Sequence, residues 1–258
     1  MVFKPAFPTK LHQDAAAVTR DYFLAIAQVD TVLVVNSCAR GQAVPESDLD
    51  MAILVNADTF SAEIKEIESA WQVFAGADKA ILQYKRSGLF AHLHLNIIDG
   101  KYIASAIDPG EPIDYFEIEI GNHLCYSAPM GEAGTYFISL QQKWLPYYDE
   151  TLRAQRLLQV IKACEYDLNH IPFFVKRKLY FQAFEILYKA FQEYLQALFI
   201  ANKTYPIAYN KWIAEQVTKW LNMPGLYPKL PPIISISNIE TDELCRKATM
   251  LRDLLMNL

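Results

Sequence analysis

Asn36-Ser37-Cys38-Ala39-Arg40-Gly41, followed by Ser47-Asp48-Leu49-Asp50-Met51, is the stretch on which the reading of this chain turns. The first part is a small-residue turn that follows a short apolar, β-branched run at 31–35. The second sets two aspartates at i and i+2 at the head of another apolar run. Alternate strand residues point to one face, so Asp48 and Asp50 project together. Leu49, Met51, Ile53 and Val55 alternate on the opposite face, as a half-buried strand requires. Two carboxylates held side by side repel unless a cation sits between them. The ion they suit is Mg²⁺, a hard cation that takes oxygen ligands and keeps positions open for substrate phosphates. Mn²⁺ is the alternative.

The segment resembles the nucleotidyltransferase superfamily of the polymerase-β type. The usual signature there is Gly-Ser, a spacer, then Asp-x-Asp or Asp-x-Glu flanked by apolar residues. Ser37 matches the serine, Ala39-Arg40-Gly41 the Ala-Arg-Gly that often follows, and Asp48 and Asp50 the carboxylates. Asn36 replaces the usual glycine; asparagine tolerates left-handed backbone angles better than most residues. The resemblance implies that Asp48 and Asp50 hold metal and that Asn36, Ser37, Arg40 and Gly41 form the phosphate-binding turn. There, Ser37 and nearby backbone N–H groups are donors without bulk, and Arg40 can pair with a phosphate. A surface ion pair with Glu46 or Asp48 is the competing reading of Arg40.

Active members of that superfamily usually carry a third carboxylate on a later strand. The matching segment here is Ala91-His92-Leu93-His94-Leu95-Asn96-Ile97-Ile98, in which Leu93, Leu95 and Ile97 face one way and His92, His94 and Asn96 the other. In similar aminoglycoside-type enzymes the strand reads apolar-Glu-apolar-Asn-apolar, which puts His94 in the place of the acid. Three readings are open. His94 accepts the metal or serves as general base, its pKa lying near neutrality. It marks a protein that binds nucleotide without turning it over. Or His92 and His94 are ordinary exposed residues of an edge strand.

Outward from this core, the pattern predicts a helix at 13–28, strands at 31–35 and 48–55, and a helix from an Asp58-Thr59 cap to about 74. Strands are expected at 79–85 and 90–98, joined by a hairpin turn at Arg86-Ser87-Gly88. Residues 99–144 mix loop signals with short elements. Beyond them the pattern is helical at 149–169, 172–202, 206–221 and 242–255. In the second of these, Tyr180, Phe184, Leu187, Phe191, Leu195 and Leu198 form a stripe at helical spacing. The expected fold is α+β: a nucleotidyltransferase-like mixed β-sheet with flanking helices at 1–135, then an all-α helical-bundle domain at 136–258. The segment Tyr205-Pro206 to Trp212-Ile213 looks like a feature of the helical C-terminal regions of some bacterial members; a structural reading, with Pro206 near a helix start and Trp212 as a packing anchor, suffices for it. Glu193, on a face of small residues between Ala190 and Ala197, is a candidate general base or a structural residue.

At 258 residues and 52% hydrophobic composition the chain can bury a sizeable core, and 13% aromatics argue against disorder. A net charge of −5 does not suit a general nucleic-acid binder, since phosphate backbones demand a basic face. The basic run Lys176-Arg177-Lys178 reads as a solvated helix turn. Cys38, Cys125, Cys164 and Cys245 show no metal-binding spacing and fit a reduced, cytoplasmic protein. The first fourteen residues lack a secretory pattern. No apolar run reaches the roughly eighteen residues of a membrane span.

The function expected from these features is metal-dependent transfer of a nucleoside monophosphate from an NTP to a hydroxyl of a small molecule, such as an aminoglycoside or lincosamide antibiotic. The alternatives are a degenerate, non-catalytic nucleotide-binding or regulatory protein, and a protein nucleotidyltransferase of the toxin–antitoxin type. The acceptor is unidentified, and a homodimer is compatible with so aromatic a helical region.

Overall fold

Two apolar runs, Val29–Val34 (β1) and Leu49–Val55 (β2), lie antiparallel with Val34 opposite Met51 and Leu33 opposite Ala52. Their near-continuous Val, Leu and Ile content suits central strands covered on both faces, and Val32 to Val34 and Met51 to Val55 are all buried. Leu93–Ile98 (β3) pairs parallel to β2, and the short Ala128–Pro129 (β4) pairs antiparallel to β1. The result is a mixed four-stranded sheet in the order β3-β2-β1-β4. The computed structural model describes residues 4–258; Met1 to Phe3, part of the segment expected to carry no secretory signal, lie outside the described residues.

The chain divides into two compact units: the described residues up to Tyr102 with Glu119–Pro146, and Ile103–Ile118 with Tyr147–Leu258. In the first unit, Lys10–Leu24 (α1) is capped by Thr9 and buries Ala15, Ala16, Thr19 and Phe23 against β1 and β2. A five-residue helical turn, Asn36–Arg40 (α2), follows β1. Parallel pairing of β2 and β3 demands a crossover, supplied by Ser61–Ala75 (α3) and Lys79–Lys85 (α4).

The strand and hairpin expected at 79–88 are therefore corrected. Asp78 accepts a hydrogen bond from the Ile81 amide at 3.0 Å and caps a helix, while Ile81 and Tyr84, three apart, share one fully buried face. Arg86 to Gly88 is the exit of that helix, with the Ser87 hydroxyl donating to the Tyr84 carbonyl at 2.6 Å.

Phe116–Ile120 (α5) leads into a π-turn at Gly121–Cys125 and so to β4. Thr135–Trp144 (α6) begins on Asp30, whose carboxylate accepts from the Tyr136 and Phe137 amides at 3.0 Å each. A carboxylate at a helix N-terminus meets both its free N–H groups and its dipole.

The second unit is helical. Glu150–Lys176 (α7) and Tyr180–Ala201 (α8) pack along each other, and Glu243–Leu255 (α11) packs on both. Between them lie two short helical turns, Ile213–Glu215 (α9) and Pro231–Ile234 (α10). Leu187, Phe191, Leu195 and Leu198 of the aromatic stripe are buried with Leu168, Ile171, Leu244 and Leu251.

Pro172 lies inside α7 and does not start a helix as expected. An interior proline costs roughly 3 kcal/mol, and here the fully buried Leu168 and Ile171 beside it hold the helix on course. The break comes instead within the basic run, where Lys178 takes φ +60° and the Leu179 amide bonds back to the Phe174 carbonyl at 2.9 Å.

The helix expected at 206–221 is reduced to α9 and a π-turn at Gln216–Trp220. The buried Gln216 side chain holds the loop before it, accepting from the Ile207 amide and donating to the Ala208 and Lys211 carbonyls. Tyr205, Ile207 and Tyr209 are the buried anchors, while Trp212 is 43% exposed.

The hardest segment to read, Ile103–Ile118, joins this unit through Arg156. That buried guanidinium bonds Glu117 at 2.6 and 2.8 Å, Asp114 at 2.5 Å and the Ser105 carbonyl at 3.2 Å. Gln196 and Tyr148 add donors to Glu117 at 3.1 and 2.8 Å.

Candidate metal and nucleotide site

The end of β1, the start of β2 and the start of β3 bring the sequence-derived residues together in one place. Asp48 immediately precedes β2, and Asp50 stands on it directly beside His94 of β3 in the parallel register. Asp48, Asp50 and His94 each offer a ligand atom, and these atoms all lie within 4.8 Å of one another. His94 Nε2 is 3.6 Å from Asp48 Oδ2. The alternation expected for β3 places His94 and Asn96 on its exposed face and Leu93, Leu95 and Ile97 on the covered one.

The turn after β1 is tied to the same place. The Val35 amide donates to the Asp50 carbonyl at 3.1 Å, and Cys38 Sγ approaches the Asp48 carbonyl at 4.0 Å. Asn36 takes φ +55°, the left-handed conformation for which asparagine is one of the better substitutes for glycine. Gly41 ends the turn at φ +68°, its amide bonded to the Ser37 carbonyl. Cys38 and Ala39 are buried, Ser37 and Arg40 half-buried, and Asn36 and Gly41 exposed. Of the four residues expected to meet a phosphate, Asn36 and Gly41 are thus exposed and Ser37 and Arg40 partly so.

Burial, followed by the charges of Asp50 and Asp48, pushes the Cys38 thiol up to about 12. Tyr84 is likewise pushed well above the usual phenol range by burial, with Cys38, Asp48 and Asp50 adding to it.

Two residues that the sequence did not single out hold the strand ends in place. His12 of α1 is buried, with Nε2 2.9 Å from the Ser47 carbonyl and Nδ1 2.7 Å from Thr9 Oγ1. A carbonyl only accepts, so Nε2 carries the proton and Nδ1 accepts from Thr9; the tautomer follows from the partners. Tyr84 of α4 reaches the Ser47 carbonyl at 3.2 Å and the His92 carbonyl at 3.3 Å, with its ring edge-on to His12. The His92 carbonyl also accepts from the Leu49 amide at 2.9 Å. The segment bearing Asp48 is thus pinned to the segment bearing His94 from underneath. The signal in the sequence is weak: a lone histidine on an amphipathic helix and a tyrosine in a run that reads as strand.

Glu193 belongs to the helical unit. It is buried, 3.6 Å from Lys189 Nζ, which in turn lies 3.0 Å from Asp167. Burial, then the neighbouring Asp167, pushes its carboxyl upward.

The donor set fits a divalent cation: two carboxylates repel when left alone, and a neutral imidazole adds a third donor without adding charge. Among the described residues, no helix is long and apolar enough to cross a membrane.

No protein-family profile and no curated protein matches the chain. Among solved structures, it is similar to the crystal structure of a nucleotidyltransferase-like protein from Exiguobacterium sibiricum 255-15, with 12% identity over 96% of this chain and 75% of that one, and a TM-score of 0.45.

Proposed function

We propose that the chain transfers a nucleoside monophosphate from an NTP to a hydroxyl group of a small acceptor. The observation that carries this reading is the convergence of Asp48, Asp50 and His94 on adjacent strands, within 4.8 Å of one another. The turn at 36–41 lies beside them, fixed through the Val35–Asp50 hydrogen bond. In the reaction, the acceptor oxygen bonds to the α-phosphorus while the bond from that phosphorus to the bridging oxygen breaks. Pyrophosphate leaves with the bond electrons, and the hydroxyl proton passes to a base or to solvent. Catalysis of this kind is chiefly positioning and charge neutralisation.

Asp48 and Asp50 are the residues proposed to hold a divalent ion, Mg²⁺ or Mn²⁺. That ion, when bound, supplies the positive charge that phosphate oxygens need in such a transfer. Ser37, the exposed turn residues Asn36 and Gly41, and the Arg40 guanidinium are proposed to bind and orient the terminal phosphates. The net charge of −5 favours a cationic acceptor such as an aminoglycoside. For Glu193, burial beside Lys189 supports a structural role.

One observation favours a second reading, nucleotide binding without turnover. His94 at 3.6 Å from Asp48 is also the spacing of an ion pair that would occupy the place of a cation. Incubation with NTPs labelled at the α- or γ-phosphate, over a panel of hydroxyl compounds and proteins, tests the proposal. Transfer of the α-label alone supports it. Transfer of the γ-label, or nucleotide binding with no transfer to any acceptor, overturns it.

A further inference from the structure

We propose that His94 is a specificity-determining metal ligand, and that it makes the Asp48–Asp50 pair select a transition ion such as Mn²⁺ or Zn²⁺ over Mg²⁺. This rests on reading the site as one for a divalent ion, and it stands whether or not nucleotide is turned over. Mg²⁺ is a hard ion that dehydrates reluctantly and prefers oxygen donors, whereas an imidazole nitrogen suits the borderline first-row ions. Exchanging a third carboxylate for a neutral imidazole also lowers the formal site charge from −3 to −2. A strongly hydrated ion, held chiefly by charge, loses most by that exchange.

The spacing of the donors agrees. For bond lengths of about 2.1 Å, two ligands of one ion stand about 3.0 Å apart at a right angle and about 3.4 Å apart at the tetrahedral angle. His94 Nε2 and Asp48 Oδ2 are 3.6 Å apart, and the whole set spans no more than 4.8 Å. Closing on an ion thus needs shifts of a few tenths of an ångström from the first pair. The backbone is already set, because Asp50 and His94 are register partners and the Ser47 and His92 carbonyls share the Tyr84 hydroxyl. His92 lies on the same side, with its ring centroid 5.9 Å from that of His94, and is outside the donor cluster. Cys38 is buried and lies outside the donor cluster, so the His94 nitrogen is the softest donor in it.

The test uses the full chain without nucleotide. Titration calorimetry with Mg²⁺, Mn²⁺ and Zn²⁺ chlorides gives the affinities of the wild type and of His94→Glu. Mn²⁺ and Zn²⁺ outbind Mg²⁺ at many sites, so the change in ratio decides. His94→Glu should lower the Mn²⁺-to-Mg²⁺ affinity ratio by about tenfold or more. Pulsed EPR of the wild-type Mn²⁺ complex should show nitrogen coupling from a directly bound imidazole, absent in His94→Glu. If that variant does not fold, the wild-type nitrogen signal decides by itself. An unchanged ratio, a Mn²⁺ complex without nitrogen coupling, or no binding of any of the three ions overturns the inference. Nitrogen-bound Mn²⁺ without NTP transfer would sustain the inference while removing the proposed reaction; transfer with an all-oxygen metal site would do the reverse.

Discussion

His94 stands beside Asp50 across adjacent parallel strands, which brings its Nε2 to 3.6 Å from the carboxylate of Asp48. Both side chains are about half exposed, at 57% and 45%, so the approach owes little to burial and much to strand register. A shift of β3 by one residue would turn His94 to the other face and bring Leu93 or Leu95 in its place. What fixes the register should therefore matter as much as the donors themselves.

His12 and Tyr84 are expected to be the residues that do so. His12→Phe keeps a ring but removes the hydrogen bond to the Ser47 carbonyl, leaving a buried acceptor with a weaker set of partners. The expected cost is about 1–3 kcal/mol in chemical denaturation. Metal affinity should fall with it, while a substitution of an exposed residue such as Lys65 should leave both unchanged. A wild-type metal affinity in folded His12→Phe would exclude the positioning role.

His123 gives the first unit a sensitivity to acid. Burial pushes its imidazole from 6.5 down to about 4, so the unfolded chain takes up the proton first. Its contribution is complete above pH 6.5 and is lost as pH falls towards 4, by an amount on the order of 3 kcal/mol. Urea midpoints measured at pH 7.5 and 5 should differ in the wild type and converge in His123→Gln.

Glu193 acts in the opposite sense. Its carboxyl is raised by burial and by Asp167, so the folded chain keeps the proton to higher pH than the unfolded one. Stability from this group is full at low pH and is lost as pH rises through the raised value. Glu193→Gln, which is neutral throughout, should flatten the fall in stability between about pH 4.5 and about 8. Lys189→Met should instead cost about 3–5 kcal/mol, because Asp167 would lose the charge that lies 3.0 Å away.

Gly134 is fixed by what a side chain would strike. A Cβ there would lie 2.3 Å from the Asp30 carboxylate, the group that accepts from the first amides of α6. Gly134→Ala should destabilise the chain by about 1–3 kcal/mol through overpacking. Gly131→Ala, where no atom lies within 4 Å but φ is +132°, tests backbone strain without the clash.

The parts legible in the sequence were those governed by short-range pattern. Alternation in β2 and β3 placed Asp48, Asp50 and His94 on one face, and the left-handed tolerance of asparagine anticipated the φ of Asn36. Residues 79–85 misled because Ala80-Ile81-Leu82 reads as an apolar run; the deciding features were the Asp78 cap and the contacts of Tyr84 with carbonyls distant in sequence. Pro172 misled for a related reason, since tertiary packing carried α7 through a residue that locally ends helices. The segment around Asp114 and Glu117 was illegible because its structure depends on Arg156, about forty residues away, and no local period encodes such a partnership.

Nucleotide affinity before and after neutralising the aspartates is the most direct measurement of the proposed site. Calorimetric titration of ATP, GTP, CTP and UTP in Mg²⁺ and then Mn²⁺ should give metal-dependent binding of at least one nucleotide to the wild type. Asp48→Asn with Asp50→Asn should abolish that binding in a chain that still folds. Binding that persists in the double variant, or a wild type that binds no nucleotide with either ion, would contradict a nucleotide site built on Asp48, Asp50 and His94.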